Sequence, residues 1–91
     1  MSDLREYSIV FHTSALKQFD KLPENIRKRA ASALETLAFN PRPVGVEKMS
    51  GYTDYYRIRV GNYRIVYSIE DEQLIVLVVR VGHRKDVYRK M

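Results

Sequence analysis

The chain contains no cysteine, so it cannot be a disulfide-stapled domain and must be held by its core or by a partner. It has two histidines, His12 and His83, too far apart in sequence to show metal-ligand spacing. It shows no Ser-His-Asp arrangement and no glycine-rich phosphate loop. No apolar run approaches the roughly 18 residues that would suggest a membrane span. The segment Met1 to Glu6 is polar and carries Asp3 and Glu6, unlike a signal peptide. There are no internal repeats and no low-complexity segments. These absences lead us to expect a cytoplasmic protein, away from membranes, with no metal and no cofactor.

What is present fits one small domain over residues 1–91. The 45% hydrophobic content suffices for a single modest core. The net charge is +5 and is unevenly spread. Residues 1–56 hold 8 basic and 7 acidic side chains, while residues 57–91 hold 8 basic and 4 acidic. A basic C-terminal third suits a polyanion such as nucleic acid, and equally suits a solvated surface.

Tyr7 to Phe11 is rich in β-branched and aromatic residues and predicts a strand. Thr13 or Ser14 then predicts a helix cap, followed by a helical face of Ala15, Phe19 and Leu22. Pro23 ends that helix and suits the first turn of the next. From Glu24 to Phe39 an apolar stripe of Ile26, Ala30, Ala33, Leu34, Leu37 and Ala38 predicts a second helix. Pro41 and Pro43 stop it, and a loop is expected from Val44 to Asp54. Three strands follow, over 55–60, 63–69 and 74–81. Gly61-Asn62 fits a two-residue hairpin turn, and the last strand, apolar on both faces, belongs inside the sheet. The predicted fold is α+β in the order β-α-α-β-β-β. A helical pair packs on one face of a mainly antiparallel four-stranded sheet, and a short basic tail ends the chain.

A two-residue turn at 61–62 fixes the register. Arg59 then faces Arg64, Arg57 faces Val66, and Arg57, Arg59 and Arg64 share one exposed face. Like charges directly opposed in a hairpin are destabilising. Two readings account for them. The long side chains could splay into solvent or be neutralised by acidic residues of the 44–54 loop, or the arginines could form an anion site, since guanidinium groups bind phosphate in bidentate fashion. Tyr55 has the same parity as Arg57 and Arg59, and an aromatic ring beside basic groups can stack an unpaired base.

At this point a family likeness emerges. The stretch from Tyr56 to Tyr67, YRIRVGNYRIVY, resembles the central motif of the RelE/ParE toxin superfamily. Val81 to Tyr88 resembles the ending of its RelE branch, and Lys48-Met49-Ser50-Gly51 resembles a further family segment. The resemblance implies a toxin held inactive by a RelB-like antitoxin, which cuts mRNA in the ribosomal A site. It also implies that Arg57, Arg59, Arg64, Arg84 and Tyr88 match the family's catalytic positions. Lys48, Tyr55, Arg80, Lys85 and Arg89 are expected to bind RNA. Well-known members carry lysine where this chain has Arg57 and Arg59. Arginine keeps its proton under ordinary conditions, so the general base is left open, with His83 as a candidate. The alternatives are a ParE-like DNA gyrase inhibitor and an RNA-binding module without chemistry.

Overall fold

The computed structural model describes residues 6–49 and 55–83. Its elements are β1 (Ser8–Phe11), α1 (Thr13–Asp20), α2 (Glu24–Phe39), β2 (Glu47–Met49), β3 (Tyr55–Val60), β4 (Tyr63–Glu70) and β5 (Ile75–His83). The α+β class and the helical pair are as expected, but the sheet has five strands, in the order β1-β5-β4-β3-β2. The additional strand, β2, lies within the segment expected to be a loop. Its three residues pair antiparallel with β3, too short a run to show alternation in the sequence. All neighbouring pairs are antiparallel except β1 with β5.

Local chemistry explains the element ends. His12, not Thr13 or Ser14, caps α1: its Nδ1 accepts a 3.3 Å bond from the Ser14 backbone N–H. Pro23 precedes the first turn of α2, and its carbonyl accepts from Arg27 N–H at 2.8 Å. The apolar stripe of α2 buries Ala30, Leu34, Leu37 and Ala38, with Ile26 and Ala33 packed at its margin. Gly61 has φ +61°, the left-handed value that the tight β3–β4 turn requires.

The core lies between the helices and one sheet face. It joins Leu34 and Leu37 to Val60, Ile65, Tyr67, Val76, Val78 and Val81. Tyr67 is fully buried and donates its hydroxyl to the Pro41 carbonyl at 2.7 Å. Burial pushes its phenol pKa up, so it serves as a neutral hydrogen-bonding strut.

A polar clamp fastens the chain ends of these elements. Arg42 makes a bidentate pair with Asp71, at 3.2 and 2.9 Å, and Tyr7 donates to Asp71 at 2.7 Å. Hydrogen bonds from Arg42, and then from Tyr7, hold the Asp71 carboxyl below the usual carboxylate range. With the folded pKa depressed, this stabilisation is complete above the unfolded-state value and is lost as pH falls through the folded value. The Asp71→Asn variant is therefore expected to melt below the parent at neutral pH and to converge with it in strong acid, as thermal melts across pH would record.

Candidate nucleic-acid interface

The hairpin register places the arginines. Arg59 pairs with Arg64 and Arg57 with Val66, so Arg57, Arg59 and Arg64 stand on one face, opposite the helices. The same logic extends across the sheet in two rows. Glu47, Arg57, Val66 and Arg80 form one row, and Arg59, Arg64 and Gly82 the next. Gly82 offers no side chain beside Arg64.

Arg80 reaches this face through an irregularity. Val66 pairs with Arg80 and Tyr67 with Val78, leaving Val79 as an extra residue. Regular alternation would have put residue 80 on the core face with Val76 and Val78. The bulge shifts the phase, so Arg80 and Gly82 face away from the helices while Val81 stays in the core.

The face is less exposed than the sequence suggests. Arg64 retains only 7% of its surface, on the central strand β4 between β3 and β5. Its Nη1 donates to the Tyr63 carbonyl at 3.2 Å. The Nε atoms of Arg64 and Arg80 are buried with no hydrogen-bond partner among the described residues. Native structures rarely leave buried donors unsatisfied, and an uncompensated buried charge is costly. Arg57, Arg59, Arg64 and Arg80 thus concentrate positive charge on one face, an arrangement able to hold an anion. Glu47 partly meets this charge: its Oε1 accepts a 2.6 Å bond from Arg57 Nε.

The remaining expected site residues divide by register. Tyr55, half-buried, keeps the parity of Arg57. Lys48 pairs with Tyr56, so alternation sets it on the opposite face. His83 also lies away from the arginines. It pairs with Tyr63 on the helix side, and the two rings meet edge to face with centroids 5.6 Å apart. The register therefore sets Lys48 and His83 apart from the arginine face. The bulge brings His83 to the helix face, where the unbroken sequence period would not have put it. Arg84, Lys85, Tyr88 and Arg89 lie outside the described residues. Glu47 is an acidic residue of the 44–54 segment, from which the sequence suggests neutralisation of the arginines; its place opposite Arg57 comes from β2, which nothing in the sequence marks as a strand.

Comparison with known proteins now places the molecule in its class. The family model of the ParE toxin of type II toxin–antitoxin systems, parDE, matches residues 9–88. The chain belongs to the RelE/ParE superfamily of toxins from toxin–antitoxin systems, and within it stands as a RelE-type toxin. Toxin RelE3 of Methanocaldococcus jannaschii is 36% identical over 84 residues, covering 88% of this chain and 93% of the relative. The mRNA interferase toxin RelE of Escherichia coli K12 is 33% identical over 81 residues, covering 87% and 84%. The crystal structure of the archaeal RelE–RelB complex from Pyrococcus horikoshii superposes with a TM-score of 0.78 at 26% identity, covering 89% of this chain and 98% of that one.

Proposed function

We propose that this toxin is an endoribonuclease that cuts mRNA, in the cytoplasm and within the ribosomal A site, by attack of a ribose 2′-hydroxyl on the adjacent phosphate. The observation that carries this reading is the arginine face, with Arg57, Arg59, Arg64 and Arg80 gathered on a rigid sheet and two buried Nε donors unmet among the described residues. The reaction uses the RNA's own nucleophile and asks for no metal. It needs in-line alignment and fixed positive charge where the phosphate becomes more negative. Arg57, Arg59 and Arg64 supply that charge, with Arg80 as a further cation beneath the scissile group. Tyr55 stacks a neighbouring base. In this proposal Arg84 and Tyr88 complete the site at the leaving oxygen, and Lys85 and Arg89 hold the RNA backbone.

The regulating partner is a RelB-like antitoxin. A groove of about 850 Å³ between β1, α1 and α2 is lined by Phe11, Leu16, Phe19, Leu34 and Phe39. Leu16 and Phe39 are 45% and 58% exposed there. Such a groove fits an apolar partner segment, and the Pyrococcus relative was crystallised in complex with RelB.

The test is incubation with ribosomes translating a defined message. The expected products carry a 2′,3′-cyclic phosphate on one fragment and a 5′-hydroxyl on the other. Binding to single-stranded RNA should weaken with salt, and Arg80→Gln should reduce the log–log slope by about 0.7 for its one lost phosphate contact. Intact message together with inhibited gyrase supercoiling would move the protein to the ParE mode of action. Salt-sensitive RNA binding without cleavage would leave a binding module.

A further inference from the structure

We propose that Glu47 is the general base of the cleavage, the group that takes the proton from the 2′-hydroxyl; this assignment rests on the nuclease reading above. Neither position where related toxins carry lysine can serve, because Arg57 and Arg59 do not readily give up a proton. The register supplies a carboxylate instead. Glu47 pairs directly with Arg57, so its side chain stands on the face of Arg57, Arg59 and Arg64. The 2.6 Å bond from Arg57 Nε to Glu47 Oε1 fixes the carboxylate beside a guanidinium of the phosphate site. The Glu47 side chain is 47% exposed, open to an incoming ribose.

No other described acidic side chain competes for the role. Glu70 shares the parity but lies six positions along β4 from Arg64, roughly 20 Å away by strand rise. The groups facing Glu47 are Arg57, Arg59 and Tyr55 from β3, Arg64 from β4 and Arg80 from β5. The hydrogen bond and charge of Arg57, with Arg59 and Arg64 adding to them, hold the Glu47 carboxyl below the usual carboxylate range. It is therefore ionised at neutral pH and able to accept a proton, though the same interactions make it a weaker base than a free carboxylate.

The step balances without an outside reagent other than water. The 2′-oxygen gives its proton to Glu47 and forms a bond to phosphorus. The bond from phosphorus to the 5′-oxygen breaks, and its electron pair stays on that oxygen, which takes a proton from water. The products are a 2′,3′-cyclic phosphate and a 5′-hydroxyl, and Glu47 returns its proton to solvent. Arg57 thus bridges base and phosphate.

The experiment compares parent, Glu47→Gln and Glu47→Asp, each as the full chain, for single-turnover cleavage across pH and for RNA affinity. Glutamine keeps the size and the hydrogen-bond acceptor but cannot take up the proton. It is expected to slow cleavage by on the order of 100-fold or more and to abolish the acidic limb of the pH–rate profile. RNA affinity should hold or tighten, because a negative charge is gone, and this also reports that the variant is folded. Aspartate should restore the acidic limb at a reduced rate. Parental rates in Glu47→Gln, or a retained acidic limb, would overturn the assignment while leaving the nuclease reading intact. Faster cleavage by Glu47→Gln would also overturn it, by showing that Glu47 merely competes with phosphate for Arg57. A parent chain that leaves RNA whole would remove the nuclease reading and the base together.

Discussion

Replacing Arg64 with glutamine is expected to slow RNA cleavage by on the order of 100- to 1000-fold, the usual cost of losing one preorganised charge donor, without costing stability. The two halves of this expectation have one cause. Arg64 is 7% exposed, and its Nε is buried without a partner among the described residues. A buried cation with one donor unmatched among the described residues burdens the folded state, and an anion on this face would relieve it. Glutamine removes the burden and the anion's partner together. Single-turnover rates and thermal melts of the same preparation check both. A variant that unfolds would make Arg64 a structural residue. A variant that cuts at the parental rate would remove it from the site.

The second large effect lies in the core. Leu37 in α2 is 1% exposed and belongs to the main cluster with Ile65, Tyr67 and Val78. Leu37→Ala is expected to cost about 2–5 kcal/mol through lost transfer energy and the cavity left behind. A domain of this size has only about 5–15 kcal/mol in all. At roughly 4–8 °C per kcal/mol, the melting temperature should fall by at least about 10 °C. Leu16→Ala is the matched control, since Leu16 is 45% exposed and should change stability by no more than about 0.5 kcal/mol. Denaturant unfolding of both variants tests the contrast; equal losses would mean that the core does not lie where Leu37 sits.

The pairing of Arg59 with Arg64 was legible in the sequence because it depends only on local facts. A glycine able to take a positive φ opens a two-residue turn, and the turn fixes every pair that follows it. The buried face of α2 was legible for the same reason, since helical spacing is local. What escaped the sequence reading is non-local or too short to carry a period. The three residues of β2 cannot show alternation, so the sequence offers an acidic residue of the 44–54 segment as a partner for the arginines without showing that Glu47 stands opposite Arg57. Arg64 is buried in the assembled fold, and the hairpin alone does not reveal that. The run from Leu74 to Val79 is apolar at every position, so no alternation marks Val79 as the place where β5 shifts phase. His12 caps α1 although histidine is not among the residues that usually do so.

The guanidinium groups of the described arginine face, Arg57, Arg59, Arg64 and Arg80, all belong to the meander β3–β4–β5, whose connections span two and four residues. By contrast, β1 joins β5 only after the chain has run through both helices and three further strands. The geometry of the arginine face is therefore written in short loops, and the long excursion merely backs it. Loop-closure entropy grows slowly, by about 0.6 kcal/mol for each doubling of length. The segment from α1 to β2 can accordingly gain or lose residues at its joints at small cost, while one residue more or less at Gly61-Asn62 would turn every later side chain of the hairpin to the wrong side.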